Sequence, residues 1–151
     1  MHVIIKYASG DTQLSATKVT ADNNIATWTP PSYINANPSI EFEGDKIGDL
    51  YDGFISTVNE AVAKLKAKGY TPVVQGFWWM QGERDSNLGS MSADLYSTLL
   101  TALISDVRHD VGTIMGEDLS NMPAVFGRVY RNPSNAPLSE VGLAAVQAGQ
   151  D

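Results

Sequence analysis

The sequence predicts one α/β domain built on a parallel sheet. Apolar segments of strand length alternate along the chain with longer segments in which apolar residues recur every three or four positions. No internal repeat, low-complexity tract or linker divides the 151 residues, which suffice for one domain with a substantial core. Strands and helices that alternate in this way form right-handed units on a parallel sheet, with helices on both faces.

Three apolar segments are predicted to be neighbouring strands of that sheet. The first, 3–8, is apolar and β-branched from almost its first residue, and the others are 72–80 and 123–130. Strands of a parallel sheet are covered on both faces, so they appear in a sequence as nearly continuous apolar runs. Trp78 and Trp79 point to opposite faces of the second strand, and at least one of them should lie in the core.

A helix is predicted over 47–68, where apolar residues form one stripe. Lysines crowd its last turn, which favours the helix dipole, and Gly69 is placed to end it. The preceding segment 13–46 has no sustained periodicity and contains three prolines, so we expect an ordered loop there.

Two further helices are predicted in the second half of the chain. One covers 93–111, with Ser92 as its N-cap and Gly112 just past its end. A shorter one covers 139–149. The complete order is strand, loop, helix, strand, helix, strand, helix.

Composition excludes several classes of partner. The net charge of −7 and the pI near 4.6 argue against binding to nucleic acid or anionic membranes, because both require basic surface. The chain has no cysteine, which excludes disulfides and thiolate metal sites. No apolar stretch approaches the roughly 18 residues that span a membrane, and no secretory leader is recognisable. We therefore expect a soluble acidic protein, intracellular or already trimmed, without a metal or other cofactor.

The segment 76–85 is the most informative part of the chain. Gly76–Met80 is an apolar aromatic run, and Gln81–Asp85 is polar and contains a glycine. Open α/β sheets bind ligands at the carboxyl ends of their strands, where this change occurs. The pattern alone is equally typical of a core strand that runs into an ordinary polar loop.

The amino-acid sequence of this segment closely resembles a known motif. Trp79-Met80-Gln81-Gly82-Glu83-Arg84-Asp85 is similar to the third conserved block of the sialic-acid-specific acetylesterases, carbohydrate esterases of the SGNH hydrolase superfamily. Weaker similarities occur in the same order as in the family. The first is the segment Val3–Lys6 followed by Ser9–Thr12, which has Asp11 where a second glycine is common in the family. The others are Leu95–Arg108 and Ala145–Gln150. The resemblance implies a three-layer, flavodoxin-like SGNH fold, incomplete here at both ends.

The resemblance also implies the chemistry of ester hydrolysis. This superfamily uses a serine nucleophile, a histidine base oriented by an aspartate, and donors for the oxyanion. Carried onto this chain, the donors are the backbone N–H of Gly10 and the side-chain amide of Gln81, with Gly82 in the same catalytic turn. A simple strand-ending turn at Gly10 and an exposed loop amide at Gln81 remain the alternatives.

Three charged residues of the same block are predicted to contact substrate. Glu83 accepts hydrogen bonds, either from the loop or from substrate hydroxyls, and Asp85 completes the block. Arg84 departs from the family, where a small residue is usual. It is suited to a sugar carboxylate, although an ion pair with Asp85 or Glu83 is the favoured interpretation.

The nucleophile and base are not recognisable in these residues. The family's Gly-Gln-Ser-Asn block is expected before residue 1, and its Asp-x-x-His block after residue 151. His2 and His109 are expected at the opposite end of the sheet from Gln81. We therefore predict part of a carbohydrate O-acetylesterase, inert alone, that acts on acetylated carbohydrates once further segments or chains complete it. The alternative is a non-catalytic carbohydrate-binding or structural module, for instance of a virion or cell surface. The family is often secreted or periplasmic, but the compartment stays open.

Overall fold

The computed structural model describes residues 2–16, 26–38, 47–87, 93–130 and 140–151. Within these ranges the chain forms a helix-rich α/β arrangement with a small parallel sheet. In chain order the elements are α1 (Pro31–Ala36), α2 (Asp49–Ala67), β1 (Phe77–Trp79), α3 (Glu83–Ser86), α4 (Ala93–Met115), β2 (Ala124–Phe126) and α5 (Glu140–Gln150).

The two strands pair in parallel, as the sequence predicts. Phe77 lies opposite Ala124 and Trp79 opposite Phe126. The ladder is continued on both sides, by the Phe77 N–H to the Pro123 carbonyl and by the Gly127 N–H to the Trp79 carbonyl, each at 2.9 Å. Both strands are shorter than predicted, because pairing stops after three residues.

The strand predicted at 3–8 is not formed. Residues 2–9 have no regular secondary structure, and Ile4 is 90% exposed. Strand propensity reflects packing of side chains on a pleated surface, so an apolar run without a neighbouring strand gains little from it. The nearest pairing is a single parallel bridge between Gln13 and Thr27.

The sheet has one partly covered and one exposed face in the described residues. Trp79 is buried, which confirms that one of the two tryptophans lies in the core. On the other face Trp78, Met80 and Val125 are 75%, 71% and 61% exposed. No described helix covers these three side chains, so the three-layer arrangement stays a prediction.

Helix α2 confirms the predicted helix and its end. Gly69 follows it with a φ of 81°, in the left-handed region that glycine adopts without strain. The Gly69 N–H donates to the Lys66 carbonyl at 3.0 Å, and the Tyr70 N–H donates to the Leu65 carbonyl at 3.1 Å. These two bonds form the Schellman motif that satisfies the last carbonyls of a helix.

Helix α4 continues one turn beyond its predicted end. Gly112 lies inside the helix, whereas Gly116 ends it, with a φ of 76°. The apolar stripe continues through the buried Val111 and Met115, and this burial outweighs the poor helix propensity of glycine. The predicted N-cap, Ser92, lies outside the described residues.

Of the three remaining helices, α5 was predicted from the sequence, whereas α1 and α3 were not. Helix α5 confirms the helix predicted at 139–149, apart from residue 139, which lies outside the described ranges. Helix α1 lies in the predicted loop and begins at Pro31, a residue favoured at the first position of a helix. Helix α3 is a single turn within the polar motif.

One continuous apolar core joins α2, α4, α5 and β1. Trp28 packs edge-on against Trp79, with ring centroids 5.1 Å apart, and so links the segment before α1 to the strand. The fully buried side chains of this core include Leu14, Tyr51, Tyr96, Leu99, Leu103, Val107 and Val146. Of the helices in the described ranges, none is long and apolar enough to cross a membrane.

Candidate active site

The predicted catalytic turn begins where β1 ends. Gln81 follows the strand by two residues, and Gly82 precedes α3 with a φ of 138°, a conformation that side chains rarely adopt. A Cβ at Gly82 would lie 2.6 Å from Val129 Cγ2 and 2.8 Å from Val146 Cγ1. The turn therefore requires glycine here both for its backbone conformation and for its close packing against the core.

Gln81 is a buried residue with both hydrogens of its side-chain amide engaged. Only 7% of it is exposed, which excludes the interpretation as an exposed loop amide. Its Nε2 donates to the Thr12 carbonyl at 2.9 Å and to Asp85 Oδ2. The Tyr96 hydroxyl donates to the Gln81 backbone carbonyl at 2.9 Å. Both hydrogens of the side-chain NH₂ are thus used within the protein.

Asp85 is completely buried and binds the loop that contains Gly10. Its Oδ2 accepts from the Leu14 N–H at 2.8 Å, and its Oδ1 accepts from the Ser15 N–H at 3.0 Å. Burial raises the pKa of Asp85 above its usual value, while the hydrogen bonds from Gln81 and the two backbone N–H groups act in the opposite direction. Its place in the motif gave no indication of these partners.

Arg84 pairs with Asp11 rather than with Asp85 or Glu83, which corrects the favoured interpretation. Its Nη1 lies 3.2 Å from both carboxylate oxygens of Asp11. Asp85 is turned into the protein by its backbone partners, so it does not present a carboxylate to Arg84. Glu83 is exposed on α3. Its predicted contact with substrate stays a prediction.

The backbone at Asp11 accounts for one departure from the family. Its φ is 55°, in the left-handed region that glycine adopts freely and aspartate tolerates better than most residues. The family resemblance expects a second glycine at this position. Asp11 therefore keeps the backbone geometry and adds the carboxylate that binds Arg84.

Gly10 lies on the exposed side of the same loop. A Cβ at this position would have no atom within 4 Å, so its backbone is open to an approaching group. Two residues later, Thr12 accepts from Gln81 through its carbonyl and from Trp28 Nε1 at 3.0 Å through its hydroxyl. The structure therefore brings the loop of Gly10 into contact with the Gln81 turn. Direct convergence of the two predicted donors stays a prediction.

One of the two histidines lies far along α4 from this contact. His109 lies more than three helical turns beyond Tyr96 along α4, or about 20 Å at 1.5 Å per residue. There it lines an open cleft of about 850 Å³ with Arg108 and Asp118. His2 is exposed at the start of the described chain. No cluster among the described residues is suited to hold a metal ion.

Two glutamines of α5 also support the site, and the sequence interpretation gave them no role. Gln150 Oε1 accepts from the Val129 N–H at 3.1 Å, and Gln147 Nε2 donates to the Val129 carbonyl at 2.8 Å. Together they pair with the backbone after β2 as a neighbouring strand would. Two amides three positions apart, in a helix that is otherwise apolar after Glu140, were the available signal.

The fold and the site agree with the family comparison. An α/β domain with a buried Gln81-Gly82 turn at the carboxyl end of a parallel strand belongs to the class in which loops at that edge bind ligands. Residues 19–149 match the family described as carbohydrate esterase, sialic acid-specific acetylesterase, and the chain belongs to this family. The loop of Gly10 precedes the matched range. Comparisons with curated proteins and with solved structures found no match.

Proposed function

We propose that this domain removes acetyl groups from sugars as a carbohydrate O-acetylesterase. The proposal includes a serine nucleophile and a histidine–aspartate base supplied by segments outside these 151 residues, as the family resemblance implies. The residues of this chain would provide the oxyanion site and contacts to the acetylated carbohydrate. Family membership supports the reaction class, and the contact between the Gln81 turn and the loop of Gly10 supports the location.

The observation that carries the location is the bond from Gln81 Nε2 to the Thr12 carbonyl. It joins two segments almost seventy residues apart in sequence, and each contains one of the proposed donors. An oxyanion bound here would meet the open backbone at Gly10 and the amide of Gln81 from neighbouring positions.

Gln81 can act as a donor only by exchanging a partner. Its NH₂ donates to a neutral carbonyl at Thr12 and to the carboxylate of Asp85. Hydrogen bonds to charged acceptors are roughly twice as strong as bonds between neutral groups. A developing oxyanion would therefore displace the Thr12 carbonyl, while the bond to Asp85 holds the amide in place. Such a donor acts mainly in the transition state.

The test is kinetic and uses the domain together with the flanking segments of its own protein. Gln81→Ala should lower kcat for p-nitrophenyl acetate about 100-fold with a smaller effect on KM, because the donor is needed when charge develops. Gln75→Ala is the matched control, since it removes an exposed glutamine amide just before β1 and should leave both constants unchanged.

Each outcome has a separate meaning. An unchanged kcat in folded Gln81→Ala would assign the amide a purely structural role. The 151-residue chain alone should be inert, because a serine hydroxyl needs an adjacent base to become nucleophilic. Turnover by the chain alone that falls in Gln81→Ala would show that it contains a complete site. No ester hydrolysis by the longer protein would contradict the proposed reaction.

A further inference from the structure

We infer that Asp85 is a positioning residue. It fixes residues 11–15, which belong to the loop of Gly10, against the Gln81 turn and thereby sets where the proposed oxyanion donors lie. Its catalytic consequence rests on the proposed function. Its structural consequence rests on the contacts alone. In this arrangement Asp85 does not touch substrate, because the side chain is completely buried and both of its oxygens accept hydrogen bonds from the protein.

Two consecutive backbone N–H groups bind the two oxygens of this one carboxylate. The Leu14 N–H donates to Oδ2 at 2.8 Å and the Ser15 N–H to Oδ1 at 3.0 Å. A carboxylate accepts on both oxygens, whereas an amide of the same shape accepts on one and donates from the other. The loop therefore requires a side chain that accepts on both oxygens, and aspartate is the one that fits this length.

The same carboxylate orients the side chain of Gln81. Because Asp85 accepts from Gln81 Nε2, the NH₂ end of the amide faces the loop and donates to Thr12 as well. The Tyr96 hydroxyl lies 3.4 Å from Oε1, at the other end of the amide. A flipped amide would place its oxygen against the carboxylate, which is repulsive. Asp85 thus selects the orientation in which Gln81 has hydrogens to offer.

These contacts also explain why a charge is tolerated in the core. An unpaired buried carboxylate is strongly unfavourable, and several N–H donors directed at it offset the lost hydration. The loop and the turn are therefore mutually dependent. Each supplies donors that the buried carboxylate needs, and the carboxylate joins them.

The decisive variant is Asp85→Asn, which keeps the size of the side chain and removes one acceptor. Amide hydrogen exchange of the 151-residue chain, followed by NMR, should show Leu14 or Ser15 exchanging at least about tenfold faster than in the unmodified protein, because one N–H then faces an NH₂. The amides of Leu103 and Val107 in the core of α4 should change much less. Glu60→Gln is the matched control, since it removes an exposed carboxylate on α2 and should alter none of these rates.

Two results would overturn the inference. The first is equal acceleration at Leu14, Ser15 and the α4 amides, which would make Asp85 a contributor to global stability only. The second is random-coil exchange of Leu14 and Ser15 in the unmodified protein, which would show that the carboxylate does not hold the loop. This second measurement decides the matter even if Asp85→Asn does not fold.

The catalytic arm uses the proposed longer protein, in which flanking segments supply the nucleophile. Asp85→Asn should lower kcat about tenfold or more with little change in KM, because the donors are displaced while the surface that binds the sugar is intact. Faster loop exchange with unchanged kcat would contradict the catalytic role of Asp85 and leave the esterase activity standing. A protein without esterase activity would contradict the proposed function, while the exchange rates would still decide whether Asp85 fixes the loop.

Discussion

At the scale of single residues, the arrangement of the candidate site depends on matching hydrogen-bond donors to acceptors rather than on net charge. Asp85 is retained in the core because backbone and amide N–H groups point at it. Arg84 pairs with Asp11, which lies on the more exposed side of the same loop. The motif located Arg84 and Asp85, but the favoured partner of Arg84 was wrong, because its carboxylate comes from the distant Asp11. Which side chain turns inward depends on backbone donors from a distant segment, and those are invisible in the motif.

A series at Asp11 separates backbone strain from the ion pair with Arg84. Asp11 is 77% exposed at its side chain, so the pair should contribute under about 1 kcal/mol. Its φ of 55° is more demanding, because a left-handed conformation costs about 1–2 kcal/mol for residues with an ordinary Cβ. Asp11→Asn and Asp11→Gly should therefore unfold in urea close to the unmodified protein, and Asp11→Ala should be less stable by about 1 kcal/mol. Equal losses of stability in Asp11→Asn and Asp11→Ala would assign the effect to the ion pair.

At the scale of elements, the sequence predicted features that depend on neighbouring residues, but not those that depend on packing or pairing with distant segments. Gly69 ends α2 as predicted because the Schellman motif uses only neighbouring residues. Gly112 was wrongly predicted to end α4, because whether a glycine terminates a helix depends on what the helix packs against. The apolar run at 3–8 has strand composition, but no strand of the described residues lies beside it. Pairing partners lie far away in the chain, so the composition of a segment alone cannot supply them.

Gly112 provides a test of this tertiary control. A glycine inside a helix normally makes alanine the more stable choice, by about 1 kcal/mol. Here a Cβ would lie 2.8 Å from the Glu117 carbonyl oxygen, since the chain folds back over the helix after Gly116. Gly112→Ala should therefore lower the free energy of unfolding by about 1 kcal/mol or more in urea titrations.

The matched control for this substitution is Gly53→Ala in α2. There the added Cβ would meet the hydroxyl end of Tyr7, a partly exposed side chain that can move away. This variant should be neutral or more stable. Stabilisation by Gly112→Ala would mean that the segment after α4 does not pack on the helix.

At the scale of the whole molecule, two buried tyrosine hydroxyls tie the elements together. Tyr51 of α2 donates to Asp110 Oδ2 of α4 at 2.6 Å, and Tyr96 of α4 donates to the carbonyl of Gln81 in the turn after β1. Burial raises the pKa of both hydroxyls above the usual tyrosine value, and the carboxylates of Asp110 and Asp85 respectively raise them further. Protonated tyrosine is therefore required both where the helices pack and where the site is held.

This requirement predicts a loss of stability at alkaline pH. Because the folded-state pKa values lie above the unfolded value near 10, the native state binds more protons than the unfolded state at high pH. The contribution is fully present below about pH 10 and is lost as pH rises further, by up to about 1.4 kcal/mol per pH unit for each hydroxyl. Urea unfolding between pH 8 and 11.5 should show this slope, and Tyr51→Phe should reduce it by about half while costing some stability at pH 8. Absorbance at 295 nm should show these two tyrosines ionising only as the chain unfolds. A slope unchanged in Tyr51→Phe, or ionisation of both hydroxyls in the folded protein, would show that the helices and the turn are not joined through them.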